Sequence, residues 1–79
     1  MLSEPRILPS ALTHGITDQS IRHATRNVMR RVDFDDRLTL LIGPDISAEL
    51  LEVIVADLET EEARIIHAMR LRPNFYQYL

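Results

Sequence analysis

The chain has no cysteine, so neither a disulfide nor a thiolate metal site can support it. Lysine is also missing: all nine basic residues are arginine, a bias that a GC-rich genome also produces. Arginine's planar fork suits phosphate and carboxylate recognition, whereas lysine offers a point charge. No apolar run approaches the ~20 residues of a membrane span. The N-terminus, MLSEPRILPSAL, lacks a basic start followed by a long apolar stretch. No signal peptide is read there, and the expected location is cytoplasmic. Glycine-rich phosphate loops, nucleophile elbows and dinucleotide fingerprints are absent. The histidines at 14, 23 and 67 show no zinc spacing, so no metal or other cofactor is expected. The DFDD run at 33–36 lacks the glycine and distal glutamate of a calcium loop and reads as a solvated turn.

What is present fits one small folded domain spanning 1–79. Hydrophobic content of 46% with 27% charged residues belongs to a folded chain rather than a disordered one. At 79 residues the core is marginal, and a partner chain or a second copy often completes such a domain. The net charge of −3 argues against nucleic-acid binding by bulk attraction. The charges are nonetheless segregated, with acids concentrated in the middle and arginines flanking them.

Pro5 and Pro9 make residues 1–12 an irregular lead-in, with room for a short strand or a fragment of helix. His14-Gly15-Ile16 reads as a turn. Thr17 is a good N-cap and Asp18 favours the first turn of a helix running to about Met29 or Arg30. Ile21, Ala24, Val28 and Met29 form its apolar face. Arg22, Arg26 and Arg30 recur every fourth residue, as a solvated face or as a docking strip for an acidic partner or RNA. A short extended piece at Val32 and Phe34 leads to a turn at Asp35-Asp36. Strands follow at 37–43, 50–58 and 63–71, joined through Gly43-Pro44-Asp45 and the polar ETEE at 59–62. Pro73 can open a short helix at 74–79. The expected fold is α+β: an antiparallel sheet of three to four strands, one main helix on one face and a short C-terminal helix.

The stretch ARIIHAMRLRPNFYQYL, residues 63–79, carries the chemistry. Arg64, His67, Arg70 and Arg72 crowd a strand, and these side chains bind phosphate and move protons near neutral pH. Strict alternation puts Arg64, Ile66, Ala68 and Arg70 on one face, and Ile65, His67, Met69 and Leu71 on the other. Glu52 shares a face with Leu50, Ile54 and Ala56. A polar face with Glu52, Arg37 or Thr39, Arg64 and Arg70 would dock a phosphate. A buried Glu52 needs a partner, and an arginine across the ladder is the obvious one. His67, toward the helix side or the sheet rim, is either a core histidine bonded to backbone or a general acid or base. His14 is either a turn residue or a phosphate contact at the helix N-terminus.

The order of an HG turn, a helix, an acidic turn, LLIG, a long aliphatic strand and ARIIHAMR resembles the BrnT-like toxins. These are small bacterial ribonucleases of type II toxin–antitoxin pairs with a RelE-like fold. The matches are His14-Gly15, Ile42-Gly43, Arg64-Ile65-Ile66, Ala68 and a tail tyrosine, over residues 10–79. The serine of the family's RIISAR is His67 here, and its arginine falls on Met69, so Arg70 stands in. The resemblance implies metal-independent cleavage of mRNA and a cognate antitoxin. It places Arg70 and Arg64 on phosphate, His67 or Glu52 as base, and Tyr76 or Arg72 as acid or orienter. Arg37, Arg72 and His14 are expected to touch substrate, and Arg22, Arg26 and Arg30 to meet a partner. The alternative is a non-catalytic module on the same scaffold that binds a partner protein or itself, a homodimer included.

Overall fold

The computed structural model describes residues 4–79, so the start of the expected lead-in, residues 1–3, lies outside the described residues. The Thr17 side chain accepts from the Ser20 N–H at 3.1 Å and opens α1, Asp18–Arg26. The helix ends earlier than its spacing predicts. The Asn27 side chain donates to the His23 carbonyl at 2.8 Å, closing the last turn. The Met29 N–H then goes to the Ile42 carbonyl at 2.8 Å, which draws the chain into the sheet. Val28, Met29 and Arg30 therefore lie outside the helix.

Five strands follow the order β1-β5-β4-β3-β2. They are β1 (Arg6–Ile7), β2 (Arg30–Asp33), β3 (Leu38–Pro44), β4 (Leu50–Ala56) and β5 (Arg64–Arg70). The last four are antiparallel, as the short connections predict. The expected count of three to four needs correction, because β1 adds a fifth strand parallel to β5 and makes the sheet mixed. It arises within the expected irregular lead-in. Two residues between prolines have no periodicity to read, and their partner lies at the far end of the chain. The Leu8 N–H donates to the Ile65 carbonyl at 3.0 Å, and Ser10 Oγ to the Ile66 carbonyl at 2.8 Å. These bonds hold β1 and the following 3-10 turn, Pro9–Leu12, against β5.

One face of the sheet takes α1. Ile21 and Ala24 pack on Leu41, Leu51, Val53, Val55, Ile65 and Ala68. Each large side chain buried there contributes about 1.5–3 kcal/mol. The opposite face is also covered, since Leu40 and Ile42 are fully buried. The chain returns across it as a C-terminal 3-10 helix, Pro73–Tyr78, the short helix expected after Pro73. Its Phe75 ring meets Phe34 and Tyr78, each at 6.1 Å between centroids.

Strict alternation fails on β5. Ile54 pairs with His67 and Val55 with Ile65, leaving Ile66 as an extra residue, a β-bulge. Ile65 and Ala68 consequently both face α1, while His67 and Met69 turn to the other side with Glu52. The expected sharing of a face by Arg64 and Arg70 is overturned for the same reason. Arg64 pairs with Ala56, and Arg70 with the core residue Leu51.

No described helix is long and apolar enough to cross a membrane.

Gly43 sets the distance between helix and sheet. A Cβ there would lie 2.4 Å from the Ala24 carbonyl oxygen and 3.1 Å from that of Asn27. The obstacle is backbone, which cannot swing away. Gly43→Ala should cost about 1–3 kcal/mol, as overpacking does. Thermal unfolding should report it as a midpoint lowered by roughly 4–8 °C per kcal/mol. An unchanged midpoint would show that α1 has room to lift.

Candidate functional site

Glu52 sits on β4 among aliphatic residues, opposite Met69, with no solvent exposure. A carboxylate there must be satisfied by protein donors. Its Oε1 accepts from the Arg72 backbone N–H at 2.9 Å and from Arg72 Nε at 3.1 Å. Its Oε2 accepts from Arg72 Nη2 at 2.8 Å and from His67 Nε2 at 2.9 Å. Pro73 helps to set this clamp. The residue before a proline is confined to extended backbone, and Arg72 has φ −90° and ψ 152°. The chain leaves β5 in a direction that presents both its N–H and its guanidinium to one carboxylate.

Burial pushes the Glu52 carboxyl up, but the hydrogen bonds from Arg72 and His67 outweigh it and hold the group below the usual glutamate range. The ionised carboxylate only accepts, so the network assigns a hydrogen to His67 Nε2, and Nδ1 has no hydrogen-bond partner among the described residues. The bulge at Ile66 is what turns this ring toward Glu52.

His14 completes the cluster. Its ring lies edge-on to that of His67, with centroids 5.4 Å apart and planes at 71°. It stands in the loop before α1, beside Gly15, whose φ of +79° suits glycine. Among the described residues neither ring nitrogen of His14 has a hydrogen-bond partner. The site opens to solvent through His14 and through the Arg72 guanidinium, which is 47% exposed and lies 5.7 Å above the Phe75 ring. The result is a buried carboxylate, one oriented imidazole, one guanidinium and a second imidazole at an open rim. Such a set can take a proton from one atom, deliver a proton to another and hold an anion between them.

Comparison with protein-family models, with curated proteins and with solved structures finds no match to this chain. The geometry therefore carries the functional argument.

Of the residues expected in the site, Glu52, His67, Arg72 and His14 come together. Glu52 has an arginine partner, as its burial demands, although from beyond the end of β5 rather than across the ladder. The shared pocket expected of Arg37, Arg64 and Arg70 does not form. Arg64 and Arg37 both bind Asp57, at 2.7 and 3.2 Å, in the β4–β5 connection. These bonds, first from Arg37 and then from Arg64, hold the Asp57 carboxyl at about 2. Arg70 is at the other end of β5, about 20 Å away by strand rise, and pairs with Glu49. Tyr76 lines a separate cavity of about 410 Å³ with Glu49, Leu50, Arg70, Leu71 and Leu79. A larger cleft of about 520 Å³ is walled by five carboxylates, Asp33, Asp35, Asp36, Asp57 and Glu59, against two arginines, Arg31 and Arg37, and its net negative charge disfavours phosphate.

The basic stripe of Arg22, Arg26 and Arg30 is also dissolved. Arg22 reaches the Pro5 carbonyl and Arg26 grips Glu4 through two bonds of 2.7 and 3.0 Å, so both hold the lead-in onto α1. Arg30 is on β2. A backbone carbonyl took Arg22, a carboxylate took Arg26 and the early end of α1 took Arg30 off the helix, none of which face periodicity announces. Asp57 and Glu4, which sequence reasoning passed over, were visible only as acids near arginines.

Glu52 and Asp57 both bind protons less readily in the folded chain, so acid favours unfolding. Their contribution is complete above their ordinary values of 4.5 and 3.8 and is lost as pH falls through the lowered folded-state values, which for Asp57 is about 2. Glu52→Gln should cost about 1.5–3 kcal/mol at neutral pH, the worth of a hydrogen bond to a charged group. Denaturant unfolding of the variant should also depend less on pH across that acid window. A slope equal to that of the parent chain would mean that Glu52 is not the ionised centre of the network.

Proposed function

We propose that the chain is a metal-independent endoribonuclease of the toxin type, built on a RelE-like fold, that cleaves mRNA at the cluster of Glu52, His67, Arg72 and His14. The observation that supports this most is the buried carboxylate orienting one imidazole with a second imidazole 5.4 Å away. Two imidazoles can perform both proton transfers of RNA transesterification.

In this reading His67 Nδ1 takes the proton from a ribose 2′-hydroxyl. The 2′-oxygen then attacks phosphorus, and the bond to the 5′-oxygen breaks. His14 in its protonated form supplies the proton to that leaving oxygen, which gives a cyclic phosphate and a free 5′-hydroxyl. Glu52 holds the His67 tautomer and stabilises the imidazolium that forms. Arg72, whose Nη1 has no partner among the described residues, faces the charge growing on the phosphorane. The resemblance to BrnT-like toxins, with its HG turn before the helix and RII in the last strand, supports His67 as the base, while the phosphate role it implies for Arg64 and Arg70 passes here to Arg72. It also supplies the expected partner, a cognate antitoxin.

The second reading, a non-catalytic interaction module, is favoured by one observation. Arg26, Arg31, Arg37, Arg64 and Arg70 are each held by a carboxylate of this chain, which leaves little free cation for a long RNA.

Expression in a bacterial host, with and without the neighbouring gene, should separate the two. The nuclease reading expects growth arrest and RNA cleavage, both relieved by the neighbour. His67→Ala and His14→Ala should each lower the cleavage rate by ~10²–10⁴-fold. The unfolding midpoint of His14→Ala should stay near that of the parent chain, whereas His67→Ala, which takes a donor from the buried Glu52, should lose about 1–3 kcal/mol of stability. The parent's rate profile with pH should be bell-shaped. Arg70→Ala should leave cleavage intact. Cleavage lost with Arg70→Ala and kept with His14→Ala would move the centre elsewhere; complex formation without any cleavage would favour the module.

A further inference from the structure

Among the described residues, β2 ends the sheet with no strand beyond it. The Phe34 N–H donates inward to the Leu38 carbonyl at 2.9 Å, and the register continues Val32↔Leu40. Antiparallel alternation therefore turns the backbone groups of Val32 inward and those of Arg31 and Asp33 outward, where none of the described residues receives them. Arg31 and Asp33 also share a face, that of their partners Leu41 and Thr39. The flanking residues are apolar and open: Val28, Met29 and Phe34 are 40%, 52% and 41% exposed.

We propose that this edge is where two copies of the chain pair, antiparallel, about an axis through Val32, making one continuous sheet. In that register Arg31 of each copy is opposite Asp33 of the other. Both pairs fall where the outward N–H and C=O groups can exchange hydrogen bonds. Val32 meets Val32 on the opposite face, and Arg30 lies across from the Phe34 ring of the second copy, a cation–π contact. Slipping by two residues sets Arg31 against Arg31 or Asp33 against Asp33, so charge selects the register. Slipping by one turns the faces against each other. Arginines on an edge strand usually guard it against association; here the guard is beside its own complement. Within one copy Arg31 holds Asp33 at 3.0 Å and Glu59 at 2.7 Å, all exposed, and such surface pairs exchange partners readily. Alternation puts Glu52 and Val32 on the same face, so pairing sets both candidate sites on one face of the joined sheet.

Light scattering across a dilution series of the full chain should show a mass rising to twice 9.1 kDa. Arg31→Asp and Asp33→Arg should each remain monomeric, since each sets like charges together twice. Mixing these two variants should restore the dimer, because their strands are then complementary. Circular dichroism checks that each is folded. If either variant fails to fold, hydrogen exchange on the parent chain decides: the Arg31 and Asp33 amides should gain protection with concentration. A monomer at every concentration, single variants that dimerise like the parent, a mixture that stays monomeric, or amide protection independent of concentration would each overturn the proposal. The first outcome would leave the edge free for a strand from another protein.

Discussion

An ionised carboxylate inside a small sheet is the constraint around which much of this molecule is arranged. Left without donors, Glu52 would cost several kcal/mol in a domain whose net stability is only of that order. Arg72 and His67 meet that demand with five hydrogen-bond contacts. Each donor has its own structural requirement. Arg72 needs the extended backbone before Pro73, and that same direction sends the aromatic tail back over the second face. His67 needs the bulge at Ile66, without which the ring would point into the α1 layer. Satisfying one buried charge thus fixes the exit of β5, the register of β4 against β5 and the path of the last residues.

The remaining electrostatics follow a different rule. The chain is net acidic, and several of its carboxylates lie within a few residues or one strand of an arginine. Asp57 draws Arg37 and Arg64, Glu4 draws Arg26, and Glu49 draws Arg70. Most of these pairs are exposed and individually weak. They add little to stability, and they scatter the positive charge that a phosphate site would gather. The guanidinium nearest the two imidazoles belongs to Arg72, and burial of its partner keeps it there. Specific positioning of one cation, rather than a basic surface, is what this architecture offers an anionic ligand.

Much of the fold was legible from residues. Thr17 as a cap, the antiparallel order of β2 to β5 and the helix opened by Pro73 all rest on local chemistry acting over a few residues, whereas the turn expected at Gly43-Pro44-Asp45 starts only at Asp45, because Gly43 and Pro44 are still paired with Leu51 and Leu50 in β3. The early end of α1 was not, because Asn27 and the Ile42 carbonyl compete for the chain through a contact between distant segments. A short strand in the lead-in was open from the sequence, but the parallel pairing of β1 with β5 was not, because its partner lies at the far end of the chain. Among the site residues, Glu52, His67, Arg72 and His14 were all identifiable as chemistry-bearing types. Their grouping was not, since alternation on β5 was broken by one unpaired residue.

The sequence by itself determined the α+β class, the need for a partner to Glu52 and the supply of imidazole and guanidinium in the last strand and tail. Those follow from residue type, spacing and the cost of burying charge. Only the tertiary structure decided which side chains meet. A single bulge reverses the face of every residue after it, and ion pairs form with whichever carboxylate the fold brings nearest, a matter that no periodicity in the chain encodes.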